Sequence, residues 1–145
     1  MRKFIFALAT VLSMAGCAGG SDSPQMKVIV CSDGFVARYV SEDDTSYTGE
    51  IQDTFTVPKK DASVEVWRAC DGKGMVSLRD FGETAVYAAP DTLSDVVGTI
   101  QYEQGFVPDS YACLGYRDGW FEIALDAAHS GFVISQTVVW DVVGE

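Results

Sequence analysis

Short apolar runs separated by turn residues repeat along the chain, and few apolar residues recur at helical spacing. Runs rich in β-branched and aromatic residues are typical of strands, which end at clusters of Gly, Pro, Asp and Ser. The pattern predicts strands at residues 26–31, 34–40, 51–57, 62–67, 85–89, 96–102 and 105–113, with a further strand that begins at Trp120. We therefore predict an all-β protein that forms a small barrel or sandwich.

Alternation along the strand at Trp120 separates a core face from an outer face. Successive side chains of a strand point to opposite sides, so Phe121, Ile123 and Leu125 share one face. That apolar face predicts the core, and Trp120 then lies on the other side. The turn at Arg117-Asp118-Gly119 precedes this strand.

The residues from Thr84 onward resemble a bacterial Src-homology-3 domain. Ala-Val-Tyr-Ala-Ala-Pro is followed by Asp-Thr-Leu-Ser-Asp-Val-Val-Gly-Thr-Ile, then Gly-Trp-Phe-Glu-Ile, then Ser-Gly-Phe-Val-Ile. Members of that family show a short strand that ends at Pro, a Val-Ile-Gly strand, Gly-Trp-x-x-Val and Gly-Trp-Val. The similarity covers residues 76–142, and Phe132 stands where the family often has Trp.

The resemblance implies a small Src-homology-3-like β-barrel at residues 76–145 and work in the cell envelope, where such domains commonly bind peptidoglycan or its stem peptides. Residues 26–75 form a second β-rich region, which is either a separate subdomain or a set of added strands. No linker composition separates Trp67 from Val86, which favours packing of the two halves against each other.

The N-terminus resembles that of a bacterial lipoprotein. Residues 1–16 have a positive start and an apolar run too short to span a bilayer, as in a secretory signal peptide. Ala15-Gly16 before Cys17 resembles a lipobox, which implies lipidation of Cys17; the alternative is an ordinary signal peptide and a soluble secreted protein. Residues 17–25 predict a flexible tether. Ala18 after Cys17 favours the outer membrane, with the lipid as the only membrane contact.

The charge of the chain is strongly acidic. Removal of Arg2 and Lys3 with the signal peptide would leave 8 basic against 21 acidic residues, a net charge of about −13. Such a surface repels nucleic acid. The acidic surface indicates either that the protein is highly soluble or that it binds a basic partner. Residues 31–39 are similar to the start of bacterial lysozyme-inhibitor lipoproteins, so an acidic inhibitor or accessory lipoprotein that binds a basic enzyme such as a lysozyme is the alternative function.

The cysteines and the one histidine offer little for catalysis or metal binding. Export permits disulfides, and we predict that Cys31 pairs with Cys70, with Cys70 to Cys113 as the rival pairing. Cys113 beside His129 would suit a cysteine hydrolase, but no helix N-terminus is predicted to lower the thiol pKa, so we predict no catalytic residues. The cysteines lack the chelate spacing of a zinc site, and we predict neither a metal nor a cofactor.

Binding is the remaining class of function. An aromatic strip on the outer face of a small β-sheet can hold an extended peptide or a glycan. Trp120 and Tyr87 alternate away from core positions, and Tyr102 and Tyr116 lie near strand ends. We therefore predict a ligand surface formed by Trp120, Tyr87, Tyr102 and Tyr116; otherwise these rings cap the core.

Overall fold

The computed structural model describes residues 23–143 and contains twelve strands and three short 3₁₀ turns in that range. The strands are β1 Gln25–Cys31, β2 Val36–Glu42, β3 Ser46–Ile51, β4 Asp53–Pro58, β5 Ala62–Arg68, β6 Met75–Leu78, β7 Gly82–Tyr87, β8 Val96–Tyr102, β9 Ser110–Arg117, β10 Trp120–Ala124, β11 Ser130–Ile134 and β12 Val138–Asp141. The prediction of an all-β protein is confirmed. Residues 23–143 contain no helix of the length and apolarity that a bilayer crossing requires.

The first sheet has the order β4-β3-β2-β1-β5, and its neighbouring strands are antiparallel. Its turns follow from local chemistry. Gly34 takes a positive φ of 94°, and Asp33 Oδ1 accepts a hydrogen bond from the Phe35 amide at 3.0 Å. Asp43 Oδ1 likewise accepts the amides of Thr45 and Ser46.

The second sheet has the order β12-β6-β9-β10-β11-β7-β8. It curls around one core, since Ile100 of β8 lies in the same buried cluster as Val76 of β6 and Val138 of β12. The two edge strands nevertheless share no ladder among the described residues. In the described part of the chain the second sheet is therefore curled but not closed, and it buries its apolar face without hydrogen bonds between β8 and β12.

Several strand boundaries differ from the sequence prediction. The predicted strand at 51–57 corresponds to β4, which begins only at Asp53 because Gln52 turns the chain with φ 63° after β3. The predicted strand at 105–113 begins only at Ser110. β3 and β6 were not predicted as strands.

The two sheets contact each other directly. Arg38 of β2 forms an ion pair with Asp141 of β12, with 2.9 Å between Nη1 and Oδ2. Ala69, in the 3₁₀ turn Ala69–Asp71 that follows β5, is fully buried in the core of the second sheet. The expected packing of the two halves is thus present.

The N-terminal end of the described chain belongs to the fold. Ser23 is buried, and its Oγ accepts the Cys70 amide at 3.0 Å. The carbonyl of Pro24 accepts the Ala69 amide at 3.0 Å, and Gln25 begins β1. The predicted flexible tether therefore cannot extend to Gln25, because residues 23–25 are held by the turn after β5. The predicted signal peptide and Cys17 lie outside the described residues.

The predicted disulfide between Cys31 and Cys70 is wrong. Cys31 and Cys113 are free thiols, so neither of them is bonded to Cys70. The register of β1 and β5 gives the reason. Cys31 lies opposite Ala62, while Arg68 lies opposite Gln25 at the far end of β1. Six strand residues, roughly 20 Å, thus separate Cys31 from the end where Cys70 lies, well beyond disulfide reach.

Candidate functional site

The hairpin from β9 to β10 determines which side chains of β10 point away from the core. Asp118 and Gly119 both take positive φ, 53° and 90°, as a two-residue hairpin turn requires. After the turn, Phe121 and Ile123 are buried at 3% and 0% exposure. Trp120 and Glu122 lie on the opposite face, which confirms the predicted orientation of Trp120.

Neighbouring strands place two further aromatic residues on that outer face. Phe132 of β11 lies opposite Glu122, and Tyr87 of β7 lies opposite Phe132. The rings of Tyr87 and Trp120 meet edge to face, with 5.8 Å between centroids and an interplanar angle of 88°. We call Tyr87, Trp120 and Phe132 the aromatic face. All three side chains are half-buried, so part of each ring is open to solvent.

The other two predicted ligand-binding residues do not join the aromatic face. Tyr116 packs edge to face on buried Phe121, with 5.1 Å between centroids. Tyr102 packs in the same way on Phe81, at 4.7 Å. Both tyrosines lie against the hydrophobic core. The structure therefore brings together Tyr87 and Trp120, whereas Tyr116 lines a hollow beside them and Tyr102 lines a separate one.

Charged side chains flank the aromatic face. Arg117 is the cross-strand partner of Trp120, and Glu122 lies between Trp120 and Ala124 on β10. Glu122 Oε2 accepts a hydrogen bond from Ser130 Oγ at 3.3 Å, which orients the carboxylate. A guanidinium, a carboxylate and three aromatic rings suit a ligand that carries both charges and a flat or apolar group.

A shallow cleft of about 260 Å³ lies beside the aromatic face, and Gly115, Arg117, Glu122 and Phe132 are among its lining residues. A Cβ built on Gly115 would meet nothing closer than Glu122 Oε1 at 3.9 Å. The absence of a side chain at Gly115 thus keeps the cleft open above β9. The cleft is small, which favours a short peptide or a sugar unit over a large ligand.

Three residues of this site were not predicted as ligand residues: Arg117, Glu122 and Phe132. The sequence did contain a signal for Glu122, because it alternates with the core residues Phe121 and Ile123. Phe132 was noted only as a departure from the family pattern. Its place beside Tyr87 depends on the pairing of β11 with β7, which strand period alone does not give.

The cysteine and histidine considered for catalysis do not form a site. Cys113 is buried, and its Sγ lies 3.5 Å from the carbonyl oxygen of Ala69. Burial raises the pKa of its thiol to about 11, the opposite of the shift that activates a nucleophile. The His129 ring is exposed, and its Nδ1 lies 2.9 Å from Asp126 Oδ1. Among residues 23–143, no group of three His, Cys, Asp or Glu side chains is arranged to hold a metal.

Comparison with known proteins gives no match. No family model, no curated protein and no solved structure matches this chain. What the aromatic face can bind must therefore be inferred from its own side chains.

Proposed function

We propose that this protein is a non-catalytic lipoprotein of the bacterial cell envelope that binds peptidoglycan, a stem peptide or a protein partner through the aromatic face. The observation that carries the proposal is the Tyr87–Trp120 ring pair on the outer face of the second sheet, next to Arg117 and Glu122. Rigid rings offer a large contact area at low entropic cost, and the two charges would orient a ligand.

The resemblance to bacterial Src-homology-3 domains supports this proposal through the positions of its motifs. Pro90 follows β7, and the Val-Val-Gly-Thr-Ile segment forms most of β8. Gly119-Trp120 opens β10, and Gly131-Phe132 lies within β11. Trp120 and Phe132, which stand at motif positions of that family, thus lie on the same face of the second sheet. Fold analogy alone is a weak warrant, so the aromatic face carries the argument.

The proposed anchor is a lipid on Cys17, which would hold the protein at the outer membrane. Mass spectrometry of the exported protein tests the anchor. We expect an N-terminal peptide that begins at Cys17 and carries the mass of the acyl chains; an unmodified peptide that begins at another residue would refute it.

A pull-down on purified, insoluble peptidoglycan tests the binding function. We expect the soluble protein to remain with the wall material at high salt, because stacking on aromatic rings is weakly screened. The Trp120→Ala variant should appear in the supernatant. Trp67→Ala is the matched control, since Trp67 is a half-buried tryptophan of the first sheet. Retention of Trp120→Ala equal to that of wild type would refute the site.

The second candidate function is an acidic inhibitor or accessory lipoprotein that binds a basic enzyme. Its supporting observation is the distribution of charge, because residues 76–145 contain 11 Asp and Glu against two Arg. A complex of this kind forms faster at low ionic strength and weakens as salt is added. Retention on a basic protein such as lysozyme that vanishes at high salt would favour it over wall binding.

A further inference from the structure

The open edge of the second sheet has a surface separate from the aromatic face. β8 is an edge strand, and among the described residues it pairs only with β7. Two adjacent hollows of about 400 and 420 Å³ lie along its C-terminal end and share Gln101 and Glu103 as lining residues. We call this surface the β8 groove; its apolar residues are Phe81, Phe106 and Val107, and its carboxylates are Glu83, Glu103 and Asp109.

The apolar residues of the β8 groove are largely exposed to solvent. Phe81 is 59% exposed, and Phe106 and Val107 are each 69% exposed. Phe81 is held by the Tyr102 ring, and the turn that carries Phe106 is closed by a hydrogen bond from its amide to the Glu103 carbonyl. Exposed aromatic and aliphatic groups that lie together beside a sheet edge are characteristic of interaction surfaces.

The carboxylates around these residues identify the charge of the partner. Among residues 23–143, no cation lies within ion-pair distance of Glu83, Glu103 or Asp109. The two arginines of this half are engaged elsewhere: Arg79 donates to the Val138 carbonyl, and Arg117 flanks the aromatic face. These exposed carboxylates are therefore open to ion pairs with the cations of another molecule.

The same charges argue against a second copy of this chain. Symmetric pairing of two β8 edges would bring the carboxylates of both grooves close together, in a protein of net charge −11. Like charges across an interface oppose association. A basic segment has the complementary charge, and an extended conformation allows it to hydrogen-bond to the open edge of β8 while its apolar side chains contact Phe81 and Phe106.

We propose that the β8 groove docks an extended segment of a partner protein in which Lys or Arg alternates with bulky apolar residues. The segment adds a strand to the edge of the second sheet. Its basic side chains pair with Glu83, Glu103 and Asp109. This inference rests on the second candidate function and gives it a location; it is independent of wall binding by the aromatic face.

The test uses three synthetic eight-residue peptides with alternating Lys/Leu, Lys/Ser and Glu/Leu. Fluorescence anisotropy measures their binding to the soluble protein at low and high salt. We expect the Lys/Leu peptide to bind most tightly, the Lys/Ser peptide more weakly and the Glu/Leu peptide not at all. The triple change Glu83→Gln, Glu103→Gln and Asp109→Asn should weaken binding of the Lys/Leu peptide about tenfold.

A matched control separates the groove from general acidity. The triple change Asp44→Asn, Asp53→Asn and Asp61→Asn removes the same charge from exposed positions of the first sheet and should leave binding within about twofold of wild type. Phe106→Ser should weaken binding of the Lys/Leu peptide and leave the weak binding of the Lys/Ser peptide unchanged. Thermal melting verifies that each variant is folded. Hydrogen exchange should show new protection in β8 when the Lys/Leu peptide is bound.

Two results would overturn the proposal in different ways. If both triple variants weaken binding equally, or protection appears in other strands, the groove is the wrong location while the second candidate function stands. If wild type does not distinguish the Lys/Leu from the Glu/Leu peptide, that function and the groove both fail. Neither result bears on retention by peptidoglycan.

Discussion

The two sheets have similarly strand-like sequences, yet they differ in how they are stabilised. The core cluster of the second sheet contains ten buried residues from β6 to β12 and the preceding turn, with five more hydrophobic residues packed against it. The fully buried hydrophobic residues of the first sheet are Val28, Ile29 and Ala37. The second sheet thus depends mainly on hydrophobic burial.

Charge is also distributed differently. Four of the five ion pairs in the described part of the chain involve residues of the first sheet or of its connections. The cation–π contacts of Lys27, Lys59 and Lys73 lie in the same part of the molecule. The second sheet leaves the carboxylates of the β8 groove without such partners. Ion pairs and cation–π contacts are thus concentrated in the first sheet, whereas the carboxylates of the β8 groove are exposed to solvent.

The largest effect should come from truncation of equivalent core residues. Ile123 and Ile29 are both fully buried, in the second and the first sheet respectively. We expect Ile123→Ala to lower the free energy of unfolding by about 4 kcal/mol and Ile29→Ala by about 2 kcal/mol, because a cavity in the larger core has more contacts to lose. Urea denaturation measures both. Equal losses would contradict the contrast between the sheets.

Alkaline pH should act through the core of the second sheet. The pKa of Cys113 is raised by burial from 9.0 to about 11, so the unfolded chain ionises first. Its contribution to stability is full below pH 9 and is lost as the pH rises through 11, with a cost of about 2 kcal/mol at pH 11. Cys113→Ala should remove this part of the alkaline decline in urea denaturation. An identical alkaline profile for wild type and Cys113→Ala would refute the assignment.

The close packing of β11 on β7 is tested by a single methyl group. A Cβ at Gly131 would lie 2.5 Å from Val86 Cγ1 and 2.9 Å from the Tyr87 carbonyl oxygen. We expect Gly131→Ala to destabilise the protein by about 1.5 kcal/mol through overpacking, as measured by thermal melting. Gly115→Ala, where the Cβ has space, should be nearly neutral. Equal melting temperatures for the two variants would contradict this packing.

The smallest effect should come from the ion pair between the sheets. Arg38 contacts Asp141 at 2.9 Å and Glu50 at 3.6 Å, and all three side chains are partly exposed. We therefore expect Arg38→Gln to cost only about 0.5 kcal/mol at low salt and less at high salt. Urea denaturation at two ionic strengths measures this. A loss above 2 kcal/mol would mean that charge, rather than burial, holds the two sheets together.

Local pattern predicted most of the strands in both sheets. The outward position of Trp120 followed from alternation with Phe121 and Ile123. β3 was missed because Ser46–Ile51 has few apolar residues and the turn at Gln52 has none of the usual turn residues. The Cys31–Cys70 pairing failed because the register of β1 and β5 is a long-range property.

Tyr116 shows most clearly why the arrangement of the predicted residues does not follow from the sequence alone. Simple alternation from buried Cys113 would place Gly115 inward and Tyr116 outward. A β-bulge in the pairing of β9 with β10 shifts the register between Glu122 and Ile123, so Gly115 lies opposite Glu122 and Tyr116 opposite Phe121. The bulge turns Tyr116 onto the core and opens the cleft above Gly115. A bulge of this kind has no signal in the period of the sequence.

The three tryptophans provide the most direct test of the aromatic face, because each indole N–H gives its own NMR resonance. Trp67 lies in the first sheet, Trp140 donates its indole N–H to the Lys73 carbonyl, and Trp120 lies on the aromatic face. Titration with soluble peptidoglycan fragments should shift the Trp120 resonance at high salt and leave Trp67 and Trp140 in place. Shifts at Trp67 or Trp140 without a shift at Trp120, or no shift at all, would contradict wall binding by this face.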